Sequence, residues 1–354
     1  MSLMEKTISL ITPQCQQTRH LATERLSQLT MPHWALGDLM DLAVDLAGMC
    51  GTMSPRVKKK RMFTIAGDHG VATEGVSKYP QEVTAQMVIN FLNKGAAVNA
   101  FASVVEANVM VVNMGVATPI NGFADRSDFV NHPIAMGTQN IVKGPAMTRD
   151  QAVSAIEMGI HLANTNGSKT DLFGTGDMGI GNTTASSAIG AVITGCQPNE
   201  IAGRGTGIND DQLANKIKVI TQSIATNKPD SRDPIDILTK VGGFEIGGIC
   251  GLILGAAALK KPVVIDGFIS AAGALLAQLI HRDVVDYCVG SHLSAESGHE
   301  IMLNHLGIKP LFDFNFRLGE GTGALLAMNL VEASVSILTD IATFESANIS
   351  KSAS

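Results

Sequence analysis

The chain is poor in charge, in paired cysteines and in the signatures that accompany structural metals or nucleoside triphosphates. Only 16% of its 354 residues are charged against 45% hydrophobic, a balance that can bury a substantial core and excludes a disordered chain. The net charge is -6, and Lys58-Lys59-Lys60-Arg61, the only basic cluster, directly precedes an apolar run. With no long basic stripe, no nucleic acid is expected as a partner. The five cysteines are widely spaced and never form a CxxC pair. They are therefore expected to be reduced, mostly buried thiols of a cytoplasmic protein, with no zinc motif among them. No secretory signal opens the chain, and no uninterrupted apolar run reaches the ~20 residues of a membrane span, so a soluble chain without membrane contact is expected. Met1-Ser2-Leu3 is expected to be a cloning remnant ahead of Met4. GxxxxGK[ST], HExxH and GxSxG are all absent, which argues against a P-loop nucleotidase, a zincin and an α/β-hydrolase elbow. No internal repeat suggests a solenoid.

What is present is a rhythm. Short β-prone runs at 62–66, 109–112, 171–175, 262–265, 284–289 and 311–316 are each closed by small or polar residues and followed by long Ala- and Gly-rich segments such as 243–259 and 271–280. That alternation predicts an α/β fold, a six-stranded, mostly parallel sheet with helices on both faces. Ligands of such sheets bind beyond the carboxyl ends of the strands. The run-closing residues, Gly67-Asp68-His69-Gly70, Asn113-Met114-Gly115, Gly176-Asp177-Met178-Gly179, Asp266-Gly267, Gly290-Ser291-His292 and Gly319-Glu320-Gly321, collect polar chemistry at that edge. Apolar residues at helical spacing over 16–30 and 36–50 predict an N-terminal helical layer, and Trp34, the only tryptophan, reads as its packing anchor. A last apolar helix over 324–341 is expected to join that layer, with a polar tail at 348–354. The polar stretch 226–234 reads as a surface loop. The chain thus divides into an N-terminal helical segment of a small domain (1–55), an α/β domain (56–320) and a C-terminal helix completing the small domain (321–354).

Individual motifs leave two readings open. Glu320, held between glycines that permit unusual backbone angles and close ligand approach, suits either a base in a cleft or an acid that opens a helix against its dipole. Gly174-Thr175-Gly176-Asp177-Met178-Gly179 matches GxGxxG, yet it lies mid-chain, and Glu200 follows in a loop rather than closing the next strand. A dinucleotide site is therefore disfavoured. A glycine loop that opens a helix still offers free N–H groups to a phosphate. Gly203-Arg204-Gly205-Thr206-Gly207 makes a second such loop, ahead of a helix that Asn209 or Asp210 can cap. Lys216, roughly 10 Å into that helix, reads either as a phosphate ligand or as a solvated lysine. His69, His292, His299 and His305 lack tight ligand spacing and are expected to be loop hydrogen-bonders, with no metal. Tyr79 either walls a flat ligand or is a partly buried loop tyrosine.

Taken together, Ala66-Gly67-Asp68-His69-Gly70-Val71, Glu74-Gly75-Val76-Ser77, Gln86-Met87, Gly176-Asp177-Met178-Gly179-Ile180-Gly181-Asn182-Thr183-Thr184, Gly203-Arg204-Gly205-Thr206-Gly207 and Arg317-Leu318-Gly319-Glu320-Gly321 closely resemble the nicotinate-nucleotide:dimethylbenzimidazole phosphoribosyltransferase family. The resemblance covers nearly the whole chain. It implies transfer of the phosphoribosyl group of nicotinate mononucleotide to 5,6-dimethylbenzimidazole, giving α-ribazole 5′-phosphate and nicotinate in cobalamin lower-ligand assembly. It also implies a homodimer with a Rossmann-like domain and a small helical domain, the cavity being completed by the partner subunit. Glu320 matches the family's catalytic base, with Asp177 the second carboxylate at the site. Gly179, Gly205 and Lys216 match positions at the nucleotide phosphate. Asp266 and Ser294 match the nucleotide side of the pocket, and Tyr79, Gln86, Met87, Met178 and Leu318 match the wall around the acceptor base. Asp177 stands where the family commonly has Glu in Gly-Glu-Met-Gly-Ile-Gly, which draws that carboxylate back by a methylene.

The residues fit this chemistry without a cofactor. Nicotinate leaves from a pyridinium already carrying positive charge, so the leaving group needs no general acid. A carboxylate whose pKa is raised by desolvation suits deprotonation of the azole. Other readings are the same transfer to a phenol, adenine or another benzimidazole, an NAD-linked oxidoreductase, and a non-catalytic nucleotide-binding subunit.

Overall fold

The structure is a computed structural model, and residues 1–350 are described; of the polar tail expected at 348–354, positions 351–354 lie outside the described residues. Among the described residues seven strands form one sheet: β1 (Lys60–Gly67), β2 (Asn108–Gly115), β3 (Phe129–Asn131), β4 (Leu172–Met178), β5 (Val263–Ile265), β6 (Cys288–Ser294) and β7 (Pro310–Phe316). Their order is β3-β2-β1-β4-β5-β6-β7, and every pair is parallel. The chain runs outward from β1 in one direction and returns to β4 on its other side. The order therefore reverses between β1 and β4, the point at which doubly wound sheets open a crevice at their carboxyl edge. In register, Ile65 faces Asp177 and Ala66 faces Met178 across that boundary.

The expected six strands become seven because Phe129–Asn131, three residues paired only with β2, is too short to show a period in sequence. A second difference concerns the run at 284–289. Arg282–Tyr287 is a 3-10 helix that buries Val284 and Tyr287, and the strand begins only at Cys288. A short apolar run does not by itself distinguish a strand from a buried helical turn.

The helices flanking the sheet pack through small residues. Phe244–Ala258 is almost wholly buried and crosses Arg149–Asn166 so closely that a Cβ on Gly251 would lie 1.9 Å from the Ile156 carbonyl oxygen. Only glycine permits that approach. A second apolar cluster gathers Ala22, Leu26, Met40, Ala43, Ala47, Ile337 and Leu338, with Trp34 packed at its edge. The Arg25 Nε donates to the Leu338 carbonyl at 2.6 Å, supplying a cation to carbonyls near the end of the helix Thr322–Asp340. That helix is long and apolar enough to cross a membrane by length and composition alone. Here it packs on β4, β6 and the helix Asp38–Cys50, as a core helix does. Of the cysteines, Cys250 and Cys288 are buried, Cys50 and Cys196 partly so, and Cys15 is exposed; burial is thus less general than expected.

Candidate active site

The carboxyl ends of β4, β6 and β7 border a cavity of about 780 Å³ lined by both glycine loops and by Glu320. Gly319, Glu320 and Gly321 adopt consecutive positive φ values of 82, 64 and 102°. For a glutamate this left-handed conformation costs roughly 1–2 kcal/mol, so the surroundings must hold it. The Thr64 hydroxyl donates to the Glu320 carbonyl at 2.8 Å, and the Glu320 N–H donates to the Asp177 carbonyl at 3.2 Å. Gly176 makes room, since a Cβ there would lie 2.3 Å from the Glu320 carbonyl oxygen. So locked, the side chain is 5% exposed, and Oε2 accepts from the Val98 N–H at 3.1 Å in the first turn of the helix Ala97–Val104. Glu320 thus lies outside the helix Thr322–Asp340 rather than in its first turn.

Three buried acids with different surroundings meet here. Burial raises the Glu320 carboxyl above its ordinary value, partly offset by the Val98 N–H. Asp177 is raised well above its ordinary value, by burial first and then by the charges of Asp266 and Glu245. Its Oδ2 accepts from Asn182 at 2.9 Å, and its Oδ1 has no partner. Asp266 is raised to about 7 by burial against three backbone N–H bonds. Burial and the neighbouring charges favour the protonated form of Asp177, whereas the backbone N–H on Glu320 favours its ionised form against the effect of burial. Environments that separate the pKa values of neighbouring acids assign them different tasks.

A cation lies beneath the second glycine loop. Lys216 is fully buried, on the helix Asp210–Asn227, which Asn209 caps through the Gln212 N–H. Its Nζ donates to Thr183 Oγ1 at 2.9 Å and to the Gly203 carbonyl at 3.0 Å, and burial brings its pKa down to about 8. Of the two readings of Lys216, solvated lysine is excluded. Gly205 has φ 49°, and a Cβ there would lie 3.4 Å from Lys216 Nζ. The ammonium therefore stands directly under the loop backbone. Gly179 and Gly181 close the first loop at the start of the helix Asn182–Thr194, which has no side-chain cap. Arg317 Nη1 donates to the Gly205 carbonyl at 3.1 Å, tying the Glu320 segment to the second glycine loop.

Tyr79, Met87, Met178, Gly179, Gly205, Ser294, Leu318, Glu320 and Asp177 all line the cavity. Tyr79 and Leu318 stand at its mouth, 53% and 59% exposed. Gln86, Lys216 and Asp266 do not line it; Lys216 is shut behind the second glycine loop. Gln86 is exposed on the outer face of the helix Val83–Leu92. Asp266 turns the other way, its carboxylate accepting from Gly321 N at 3.2 Å and Ala324 N at 2.9 Å. It thereby caps the helix Thr322–Asp340 and fixes the Glu320 loop from behind. Sequence reasoning did not single out Thr183, Phe268 or Glu296, all of which line the cavity. Thr183 lies within the first glycine motif; Glu296 belongs to no pattern.

Three of the four candidate histidines act in hydrogen bonds, but His292 lies in β6 and His299 and His305 on the helix Gly298–Leu306 rather than in loops. His69 pairs with Glu245 at 2.6 Å, His292 with Ser291 at 2.9 Å, and His299 Nδ1 accepts from the Ser294 N–H at 2.9 Å. Burial lowers His292 to about 4 and His299 to about 3. Among the described residues no group of three or more His, Cys, Asp or Glu is placed to hold a metal ion.

Two glycine loops backed by a buried ammonium and set beside a buried carboxylate, at the switch point of a parallel sheet, form an arrangement suited to moving a phosphorylated sugar. A phosphoribosyltransferase family model matches residues 11–349, and the chain belongs to that family. The nicotinate-nucleotide–dimethylbenzimidazole phosphoribosyltransferase of Syntrophotalea carbinolica is 53% identical over 351 residues, covering 99% of each chain. That of Desulfotalea psychrophila is 55% identical over 346 residues, covering 98% of each. The crystal structure of CobT from Thermus thermophilus superimposes with a TM-score of 0.91 at 40% identity, covering 95% of this chain and all of that one.

Proposed function

We propose that the protein transfers the phosphoribosyl group of nicotinate mononucleotide to 5,6-dimethylbenzimidazole, giving α-ribazole 5′-phosphate and nicotinate in the assembly of the cobalamin lower ligand. The observation that carries this reading is the buried Glu320 carboxylate, held by the Val98 N–H in the cavity that also contains the Gly179 and Gly205 loops. The 5′-phosphate lies against those loops, with the Lys216 ammonium behind their backbone, and the flat acceptor between Met87, Met178 and Leu318. One azole nitrogen attacks C1′ as the bond to the pyridinium nitrogen breaks. The departing electron pair neutralises that nitrogen, and the proton on the other azole nitrogen passes to Glu320. Attack opposite the leaving group converts the β-nucleotide to the α-product. Asp177, whose buried setting favours the protonated form, serves at the same edge as a hydrogen-bonding helper rather than a second base.

The reading extends to a cytoplasmic homodimer in which 1–55 and 321–354 form a small helical domain beside the α/β domain of 56–320. The half-exposed Tyr79 and Leu318 at the cavity mouth and the second apolar cluster joining both chain ends support it. Light scattering on the eluting protein tests the dimer. For the reaction, purified protein is given nicotinate mononucleotide with and without dimethylbenzimidazole. Release of nicotinate only when the base is present is expected; no base-dependent release refutes the transfer. A mixture of dimethylbenzimidazole, adenine and a phenol, read by product mass, tests the acceptor.

A further inference from the structure

Glu296 is a buried carboxylate that the chemistry above leaves unused. It is 5% exposed, lines the cavity, and its Oε2 has no hydrogen-bond partner. Its position is not accidental slack in a loop. The Glu296 N–H donates to Ser294 Oγ at 3.3 Å, Ser294 Oγ donates to the Phe316 carbonyl at 3.1 Å, and the Ala295 N–H donates to the same carbonyl at 2.8 Å. The His299 N–H donates to the Glu296 carbonyl at 2.9 Å, and Ser297 Oγ ties the segment to the Ala202 carbonyl at 3.3 Å. Across from it stands Gly203, where a Cβ would lie 2.0 Å from Oε2. The second glycine loop therefore has no side chain where the carboxylate approaches it, and the same Gly203 offers its carbonyl to Lys216.

Glu296 has a charge neighbour in Lys216, but a buried oxygen without a hydrogen bond costs roughly 1–3 kcal/mol, so Oε2 beside the glycine loop is placed to accept from a donor supplied from outside the chain. The phosphate is excluded as that donor, since it presents acceptors and negative charge. Within a nucleoside monophosphate the hydroxyl donors next to the phosphate are those of the ribose. Lys216, held over Gly203, supplies positive charge to the phosphate side, and the charge of Glu296 opposes the effect of burial on that ammonium. We propose that Glu296 accepts a hydrogen bond from a hydroxyl of the ribosyl cis-diol and so selects a ribonucleotide over a deoxyribonucleotide donor. The inference rests on the donor assignment made above, and it concerns recognition, not proton transfer at the reacting atoms.

The test measures binding, independently of turnover, by titration calorimetry with nicotinate mononucleotide and with its 2′-deoxy and 3′-deoxy analogues. A hydrogen bond to a charged group corresponds to ~10–100-fold in affinity. One of the two analogues is expected to bind wild type weaker by that factor, and the gap is expected to collapse in Glu296→Ala. In Glu296→Gln, where the amide oxygen still accepts, an intermediate gap is expected. Equal binding of all three ligands by wild type overturns the role of Glu296 without needing any variant, as does a gap that persists in Glu296→Ala. If wild type binds none of the three, the donor assignment itself fails, and this inference with it.

Discussion

Replacing Glu320 by Gln changes charge and basicity with little else. The amide oxygen still accepts from Val98 N, the chain length is the same, and the cost of φ 64° is common to both residues. The backbone bonds from Thr64 and to Asp177 do not involve the side chain. Donor binding and fold should therefore persist, while transfer falls by ~10²–10⁴-fold, about 3–5 kcal/mol of transition-state stabilisation. Stability moves the opposite way. Because burial raises the Glu320 pKa in the folded state, its stabilising contribution is complete below the unfolded value and is lost as pH rises through the folded one. Gln has no such loss, so the variant should melt at a higher temperature than wild type at pH 8, and the difference should shrink towards pH 4. The assay is nicotinate release at saturating donor across pH, paired with thermal melts at both ends of that range. Wild type should show a rising limb that Glu320→Gln lacks. Turnover within about threefold of wild type, far short of the loss expected for a general base, would refute the role of Glu320, as would survival of that limb in the variant.

Other expectations follow from the surrounding groups. Lys216→Met should raise the KM for nicotinate mononucleotide by ~10–100-fold, the scale of a hydrogen bond to a charged group, with a smaller effect on kcat. Since Lys216 titrates near 8, wild-type donor affinity measured by calorimetry should weaken as pH rises through that value. Gly205→Ala adds a Cβ at φ 49°, 3.1 Å from Thr183 Oγ1 and 3.4 Å from Lys216 Nζ; it should cost roughly 1–2 kcal/mol in urea melts and abolish phosphate binding. Asp266 rises from 3.8 to about 7 on burial, which corresponds to ~4 kcal/mol of stability present at low pH and lost as pH climbs through 7. Asp266→Asn should remove that part of the pH dependence between pH 5 and pH 8 in urea melts, and an unchanged slope would refute it.

Much of the fold was legible because its signals are local. Apolar runs closed by glycine and polar residues announce strands that end in ligand loops, and Ala- and Gly-rich segments between them announce close-packed helices. Three-residue β3 and the 3-10 turn ahead of β6 escaped because neither carries enough residues to show a period. The site divides in the same way. The glycine loops and Glu320 stand out by composition, whereas Asp266 has the residue type and strand-end position of a pocket acid yet faces the N–H groups of a helix that begins 56 residues later.

By itself the sequence determined that an α/β sheet would gather glycine loops and acids at one edge, since strand ends and turn chemistry are written in neighbouring residues. Only the tertiary structure decided how burial and neighbouring donors shift each of those acids. The Val98 N–H reaches Glu320 across 222 residues, while Asp177 lies buried near Asp266 and Glu245, and Lys216 meets Gly203 and Thr183 from a different helix. Burial and long-range donors set these charges, and neither is encoded in any short stretch of chain.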